Sequence, residues 1–108
     1  MNESHQRHPN VPDGANVLTV SQLAAEVKTL LDDGFPAVWV EGEIKDLSRP
    51  GSGHIYFTLK DSQAILRCAM FRGQALRLPA GMNLRDGMAV VALGKLSYYP
   101  TKGDCQLY

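Results

Sequence analysis

The spacing of apolar residues changes period once along the chain, and that change divides it. Val20, Leu23, Ala24, Val27, Leu30 and Leu31 recur at helical spacing, with Gln22, Glu26 and Lys28 elsewhere on the wheel. This pattern predicts an amphipathic helix of about three turns. Thr19-Val20-Ser21-Gln22 fits a capping box at its start, and Leu18 and Leu23 take the staple positions. Asp32-Asp33-Gly34 ends the helix: Gly34 suits a left-handed position just past the last turn, and Pro36 prevents resumption.

Beyond Pro36 the period is two. Val38, Val40, Gly42 and Ile44 share one face of a first strand and Trp39, Glu41, Glu43 and Lys45 the other. Ser48 to Gly53 is a loop by composition. In the second strand, His54 to Lys60, the residues Ile55, Phe57 and Leu59 form the apolar side, which leaves His54, Tyr56, Thr58 and Lys60 on the reverse. Asp61-Ser62 turns the chain into a third strand from about Ala64 to Phe71, with Leu66, Cys68 and Met70 inward and Ile65, Arg67, Ala69 and Phe71 outward. Gly73 to Gly81 is a short helical or irregular connection. Met88 to Tyr98 follows as a single fourth strand, Tyr99 to Asp104 as a turn, and Cys105 to Tyr108 opens a fifth strand. Nothing terminates that strand, so the chain is expected to be a fragment of a longer one with its last strand truncated.

Residues 1–16 show no repeated apolar spacing and are expected to form a flexible tail, leaving residues 17–108 as one domain. The fold class expected is mainly β: a five-stranded OB-fold barrel preceded by one N-terminal α-helix. An SH3-like barrel is the main rival. The OB arrangement is preferred because the first strand is long, with a glycine near its middle where a barrel corner must bend, and because the insert follows strand three.

Composition narrows the class. At 108 residues, 44% hydrophobic and 20% charged, the chain supports one modest core. No apolar run approaches the roughly 18 residues that span a bilayer, and the polar start lacks a secretory signal, so no membrane partner and a cytoplasmic location are expected. Cys68 and Cys105 lack a CxxC spacing, and His5 and His8 fall in the tail, so neither a metal site nor a cofactor is indicated. Glu41 and Glu43 lie about 7 Å apart on one strand face, as solvated carboxylates commonly do. No catalytic constellation is present.

The formal net charge is zero, but its distribution is uneven. Residues 1–44 hold two basic side chains against seven acidic ones, whereas residues 45–102 hold nine against three. Either a one-sided anion-binding surface or an ordinary solvated surface has this look. OB domains bind oligonucleotides across strands two and three and between the loops that join strands one to two and four to five. Those places carry His54, Tyr56, Lys60, Arg67, Phe71 and Arg72, with Arg49 in the first loop and Tyr98, Tyr99 and Lys102 flanking the second. Aromatic rings stack on unpaired bases while Arg and Lys neutralise phosphates, which together suit a single strand. The predicted helix has only Lys28 as a basic group, so insertion into a duplex groove is not expected. Each residue also has a structural use: Tyr56 packed on the helix, Tyr98 or Tyr99 plugging a barrel end, His54 satisfying the loop backbone.

The segments VWVEGEIKDLSRPGSGHIYFTLKD, LRCAMFRG and LSYYPTKGDCQLY, together with the LTVSQL helix start, resemble the N-terminal domain of the exodeoxyribonuclease VII large-subunit family. The resemblance runs from about Leu18 to Tyr108. It implies an OB domain that presents single-stranded DNA to a nuclease whose catalytic centre lies downstream, outside this chain, and needs no divalent metal. It also implies small-subunit partners bound through regions outside this domain. The family's Phe-Arg pair falls on Phe71 and Arg72, and its Pro-x-Ser-Gly-His loop on Pro50 to His54. Lys102-Gly103-Asp104-Cys105 stands where the family usually has Arg-Gly-Asp-Tyr, so stacking by that last aromatic is lost here. The leading expectation is single-stranded DNA binding; the alternatives are an OB-type protein-interaction domain or an RNA-binding domain without a nuclease role.

Overall fold

The computed structural model describes residues 10–79 and 81–108. Of the expected tail, residues 1–9 lie outside the described residues, and the remainder contains a turn in which the Ala15 amide donates to the Pro12 carbonyl at 3.1 Å. Helix α1 (Val20–Gly34) starts with the capping box that its sequence specifies. The Gln22 amide donates to Thr19 Oγ1 at 3.0 Å, and the Thr19 amide donates to Gln22 Oε1 at 2.8 Å. Its end differs from expectation: Gly34 is the last helical residue, and Phe35 caps the helix by donating its amide to the Leu31 carbonyl at 2.9 Å.

The chain continues as β1 (Val38–Ser48), β2 (Ile55–Lys60), β3 (Ile65–Met70), a single-turn helix α2 (Arg72–Ala75), β4 (Ala89–Gly94), β5 (Leu96–Tyr99) and β6 (Asp104–Leu107). The strands form one sheet in the order β4-β1-β2-β3-β6-β5. All neighbours are antiparallel except β3 and β6. The five-stranded barrel expected from the sequence is therefore corrected to six strands among the described residues, in an open row whose ends are β4 and β5.

The additional strand comes from a split of Met88 to Tyr98 at Lys95. Up to Gly94 this run pairs with β1, Gly94 lying opposite Val38. From Leu96 it pairs with β6, Leu96 lying opposite Leu107. At the junction the Lys95 amide donates to the Tyr108 carbonyl at 2.9 Å and the Tyr108 amide to the Lys95 carbonyl at 2.8 Å. Gly94 permits the switch because a Cβ there would run into that Tyr108 carbonyl and come within 2.9 Å of Leu107 Cγ. Alternation alone assigns the bend to Gly42 instead. β1 is irregular at its far end, where the register to β2 shifts between Lys45 and Ser48 and Asp46 takes a φ of 55°. The Leu47 amide there donates to Asp86 Oδ1 at 2.9 Å.

The core lies on the inner faces of the strands: Ile44, Ile55, Phe57, Leu59, Cys68 and Leu107 pack together, with Leu84 from the long connection after α2. Alternation groups the residues of this cluster on β1, β2 and β3 correctly, and assigns no face to Leu107. The helix contributes no buried side chain, although its pattern is amphipathic. Val20, Leu23 and Leu30 are exposed, while Ala24, Val27 and Leu31 are half-buried. Polar contacts hold α1 to β5: Ser97, itself buried, donates its hydroxyl to Asp32 Oδ1, and Lys28 reaches both Asp32 Oδ2 at 2.8 Å and Ser97 Oγ at 3.2 Å. No helix among the described residues is long and apolar enough to cross a membrane.

Candidate nucleic-acid interface

The outer faces of β1, β2, β3 and β6 meet in a cleft of about 590 Å³. Its floor follows from strand register: Lys45 lies opposite Thr58, Thr58 opposite Arg67, and Arg67 opposite Gln106. One rung of outward side chains thus crosses four strands, because residues paired across a ladder point to the same side. Tyr56 and Ile65 flank this rung, and Tyr99, at the end of β5, and Lys102, in the turn that follows, close the cleft. Arg67 Nε stands 3.8 Å from Asp104 Oδ2, with the arginine side chain 69% exposed. Such a solvent-screened pair is weak, and the guanidinium can exchange it for another anion.

An aromatic ridge runs beside the cleft. The His54 ring meets Tyr56 edge-on at 6.2 Å and Phe71 edge-on at 5.4 Å, and Phe71 stacks on Tyr108 at 5.6 Å with a 28° interplanar angle. Tyr56 and Phe71 remain 40% and 43% exposed, enough for a further ring to lie against them. Arg72 leads away from the ridge; its amide donates to His54 Nδ1 at 2.9 Å. Gly53 takes a φ of 90°, and a Cβ there would stand 3.0 Å from Arg72 Cγ, so only glycine lets the β1–β2 loop close against the Arg72 stem. Burial, then the neighbouring Tyr99 and Asp104, push the Tyr108 phenol above its ordinary range.

The fold brings seven of the ten sequence-derived candidates to this region: Tyr56, Arg67, Tyr99 and Lys102 in the cleft, His54, Phe71 and Arg72 on the ridge. Lys60 lies on the same face of β2, two positions beyond Thr58, in a shallower hollow with Glu41 and Asp61. Arg49 is committed elsewhere, donating to the Leu84 carbonyl at 2.9 Å. Tyr98 lies on the Leu96 side of β5, whereas Tyr99 faces the cleft. Ala69, although outward by alternation, is buried and lines a separate, mostly apolar groove with Trp39, Leu93 and Tyr108.

Sequence reasoning missed Lys45, Thr58, Ile65, Gln106 and Tyr108 as parts of this region. Lys45 was detectable as the one cation on the outer face of strand one. Gln106 was not, because its place depends on the parallel β3–β6 pairing, which has no local pattern. Among the described residues, no three His, Cys, Asp or Glu side chains are grouped so as to hold a metal ion.

A helix-led, mostly antiparallel sheet, crossed by a cationic and polar rung and bordered by half-exposed rings, defines a nucleic-acid-binding β domain. The chain belongs to the OB-fold nucleic acid binding domain family, whose model matches residues 18–108. Its relatives are more particular. Over 91 residues it is 58% identical to the exodeoxyribonuclease 7 large subunit of Pseudomonas aeruginosa (strain LESB58), covering 84% of this chain and 19% of that protein. The protein of the same name from Azotobacter vinelandii (strain DJ / ATCC BAA-1303) is 57% identical, covering 84% and 20%. That from Pseudomonas fluorescens (strain SBW25) is 54% identical, covering 84% and 19%. The chain thus spans about a fifth of the length of these relatives.

Proposed function

We propose that this domain grips single-stranded DNA as the N-terminal part of an exodeoxyribonuclease VII large subunit, whose holoenzyme hydrolyses single-stranded DNA to oligonucleotides. The observation that carries the reading is the Lys45-Thr58-Arg67-Gln106 rung beside the Tyr56-His54-Phe71-Tyr108 ridge. Cations spaced along a floor with rings at its side accept a phosphate backbone and splayed bases, which only an unpaired strand offers. Helix α1 does not favour a duplex, since its Lys28 is engaged with Asp32 at 2.8 Å. Hydrolysis belongs in this reading to the part of the protein beyond the domain, as do the contacts with small subunits. The free thiols of Cys68 and Cys105 suit a reducing, cytoplasmic location.

Protein docking is a second reading with one observation in its favour. Trp39, Val91 and Leu93 are exposed together on the β1–β4 pair, 73%, 61% and 54% accessible. Fluorescence anisotropy with labelled oligothymidine, oligouridine and a duplex of equal length tests the proposal. Oligothymidine should bind well above the duplex, with oligouridine within a few-fold of it, because stacking and phosphate contacts ignore the 2′-hydroxyl. Equal affinity for the duplex would refute the single-strand reading.

A further inference from the structure

His54 stands between the two parts of the interface without lying in the cleft. Its Nδ1 accepts the Arg72 amide at 2.9 Å, and its ring edge supports Phe71 at 5.4 Å and Tyr56 at 6.2 Å. The bond joins residues 18 positions apart and connects the β1–β2 loop to the start of α2. A helix of one turn does little to hold its own first residues, since nucleation costs more than one turn returns. The β2–β3 ladder ends beside the junction at the Ile55–Met70 pair; past that pair, Phe71 donates to Gln74 Oε1 at 3.3 Å within its own turn, and Gly53 abuts the Arg72 stem.

An imidazole nitrogen accepts a hydrogen bond only while it carries no proton. The Arg72 amide can donate and cannot accept, so the observed contact requires a neutral ring with its proton on Nε2. The geometry points to His54 as a positioning residue for single-strand binding, a proton-sensitive latch that holds Phe71 and Arg72 at the angle the interface needs. This inference rests on the DNA-binding reading above. The titratable or charged groups around the ring are the Arg72 side chain at the α2 start, Tyr56 on β2 and, across Phe71, Tyr108 with its neighbour Asp104 at the start of β6. Protonation of His54 would turn Nδ1 into a donor facing the Arg72 amide, so the latch opens in acid. A histidine that touched phosphate directly would behave in the opposite way, gaining affinity as it gained charge.

The test uses this chain, its His54→Asn and His54→Phe variants, and fluorescent oligothymidine at fixed salt from about pH 8 to about pH 5, the interval in which histidine changes charge. Asparagine keeps an acceptor bonded to Cγ, as Nδ1 is, but does not titrate; phenylalanine keeps the ring and loses the acceptor. The unsubstituted chain should lose about three- to tenfold in affinity on acidification, the size of one hydrogen bond. His54→Asn keeps the acceptor but loses the ring edge against Phe71 and Tyr56, so it should bind more weakly at about pH 8 and stay nearly flat across the range, whereas His54→Phe, with the ring but no acceptor, should be weak and equally flat. Without DNA, the Arg72 amide signal in a nuclear magnetic resonance titration should move with pH in the unsubstituted chain and hold still in His54→Asn. Tighter binding in acid that His54→Asn abolishes, or a pH profile shared by both, would overturn the latch. Absence of oligothymidine binding at about pH 8, with the Arg72 signal still titrating, would instead overturn the DNA reading.

Discussion

The salt dependence of binding follows from which cations the fold leaves available. Lys45, Arg67 and Lys102 line the cleft, and Arg72 and Lys60 stand at its margins, whereas Arg49 is spent on the Leu84 carbonyl. For single strands, the logarithm of the binding constant falls with the logarithm of salt at about 0.7 per neutralised phosphate. The three cleft cations alone give a slope of about −2, and all five about −3.5. Raising salt fourfold, from about 50 to about 200 mM, should then weaken oligothymidine binding about 20-fold in the first case and about 100-fold in the second. Two variants sharpen the measurement. Lys45→Ala should reduce the slope by about 0.7, while Arg49→Ala should leave it unchanged and lower the melting temperature instead. Removing the competing carboxylate by Asp104→Asn should strengthen binding about two- to threefold, because the Arg67 pair it breaks is solvent-exposed and weak. The assay is fluorescence anisotropy across a salt series. A slope shallower than about −1 would refute the phosphate-floor argument and favour docking through the apolar patch.

Three further outcomes follow from the structure. Phe71→Ala should weaken oligothymidine binding about tenfold with little loss of folding by circular dichroism, since stacking contributes about 1–3 kcal/mol per base while Phe71 is 43% exposed and outside the core. Gly94→Ala should destabilise the domain by more than about 2 kcal/mol in urea unfolding, because the added methyl meets backbone at the Tyr108 carbonyl and cannot be relieved by a side-chain rotation. The third concerns the tie between α1 and β5. Hydrogen bonds from Lys28 and Ser97 hold the Asp32 carboxyl below the usual carboxylate range. Its folded-state value is therefore depressed, so its contribution is complete above the unfolded value of about 3.9 and is lost as pH falls through the lower folded one. Hydrogen exchange should show α1 protected at about pH 5 and progressively less so as pH falls below the ordinary carboxylate range; in Asp32→Ala the weaker protection should already be present near neutrality.

Elements whose instructions are local were legible in the chain. Thr19 and Gln22 specify the start of α1 by themselves, because a capping box closes within four residues. The inner faces of β1 and β2 were equally plain, since alternation assigns each side chain once a single one is known to be buried; on β3 it finds Cys68 but sets Ala69 outward, where the fold buries it. The aromatic and basic residues of β2 and of the β3–α2 junction point to nucleic acid by type and alternation alone, because rings and cations interleaved on one strand face are what an unpaired strand needs. The resemblance to exodeoxyribonuclease VII large subunits extended that reading to the longer protein.

What the chain could not announce was each feature that depends on residues distant in sequence. The split at Lys95 is set by Tyr108, whose backbone claims the far side of Gly94. The cleft exists because β3 meets β6 in parallel, which puts Gln106 beside Arg67 and, of the two tyrosines expected there, brings Tyr99 and not Tyr98 over the floor. Arg49 and His54 make the same point in opposite directions: one basic loop residue is withdrawn to the Leu84 carbonyl, and the other supports Phe71 and Arg72. Sequence determined which side chains are on hand and on which face of a strand they lie. Only the tertiary structure decided which of them are free to meet a ligand, because a polar group's partner is fixed by whatever the completed fold places within hydrogen-bonding distance.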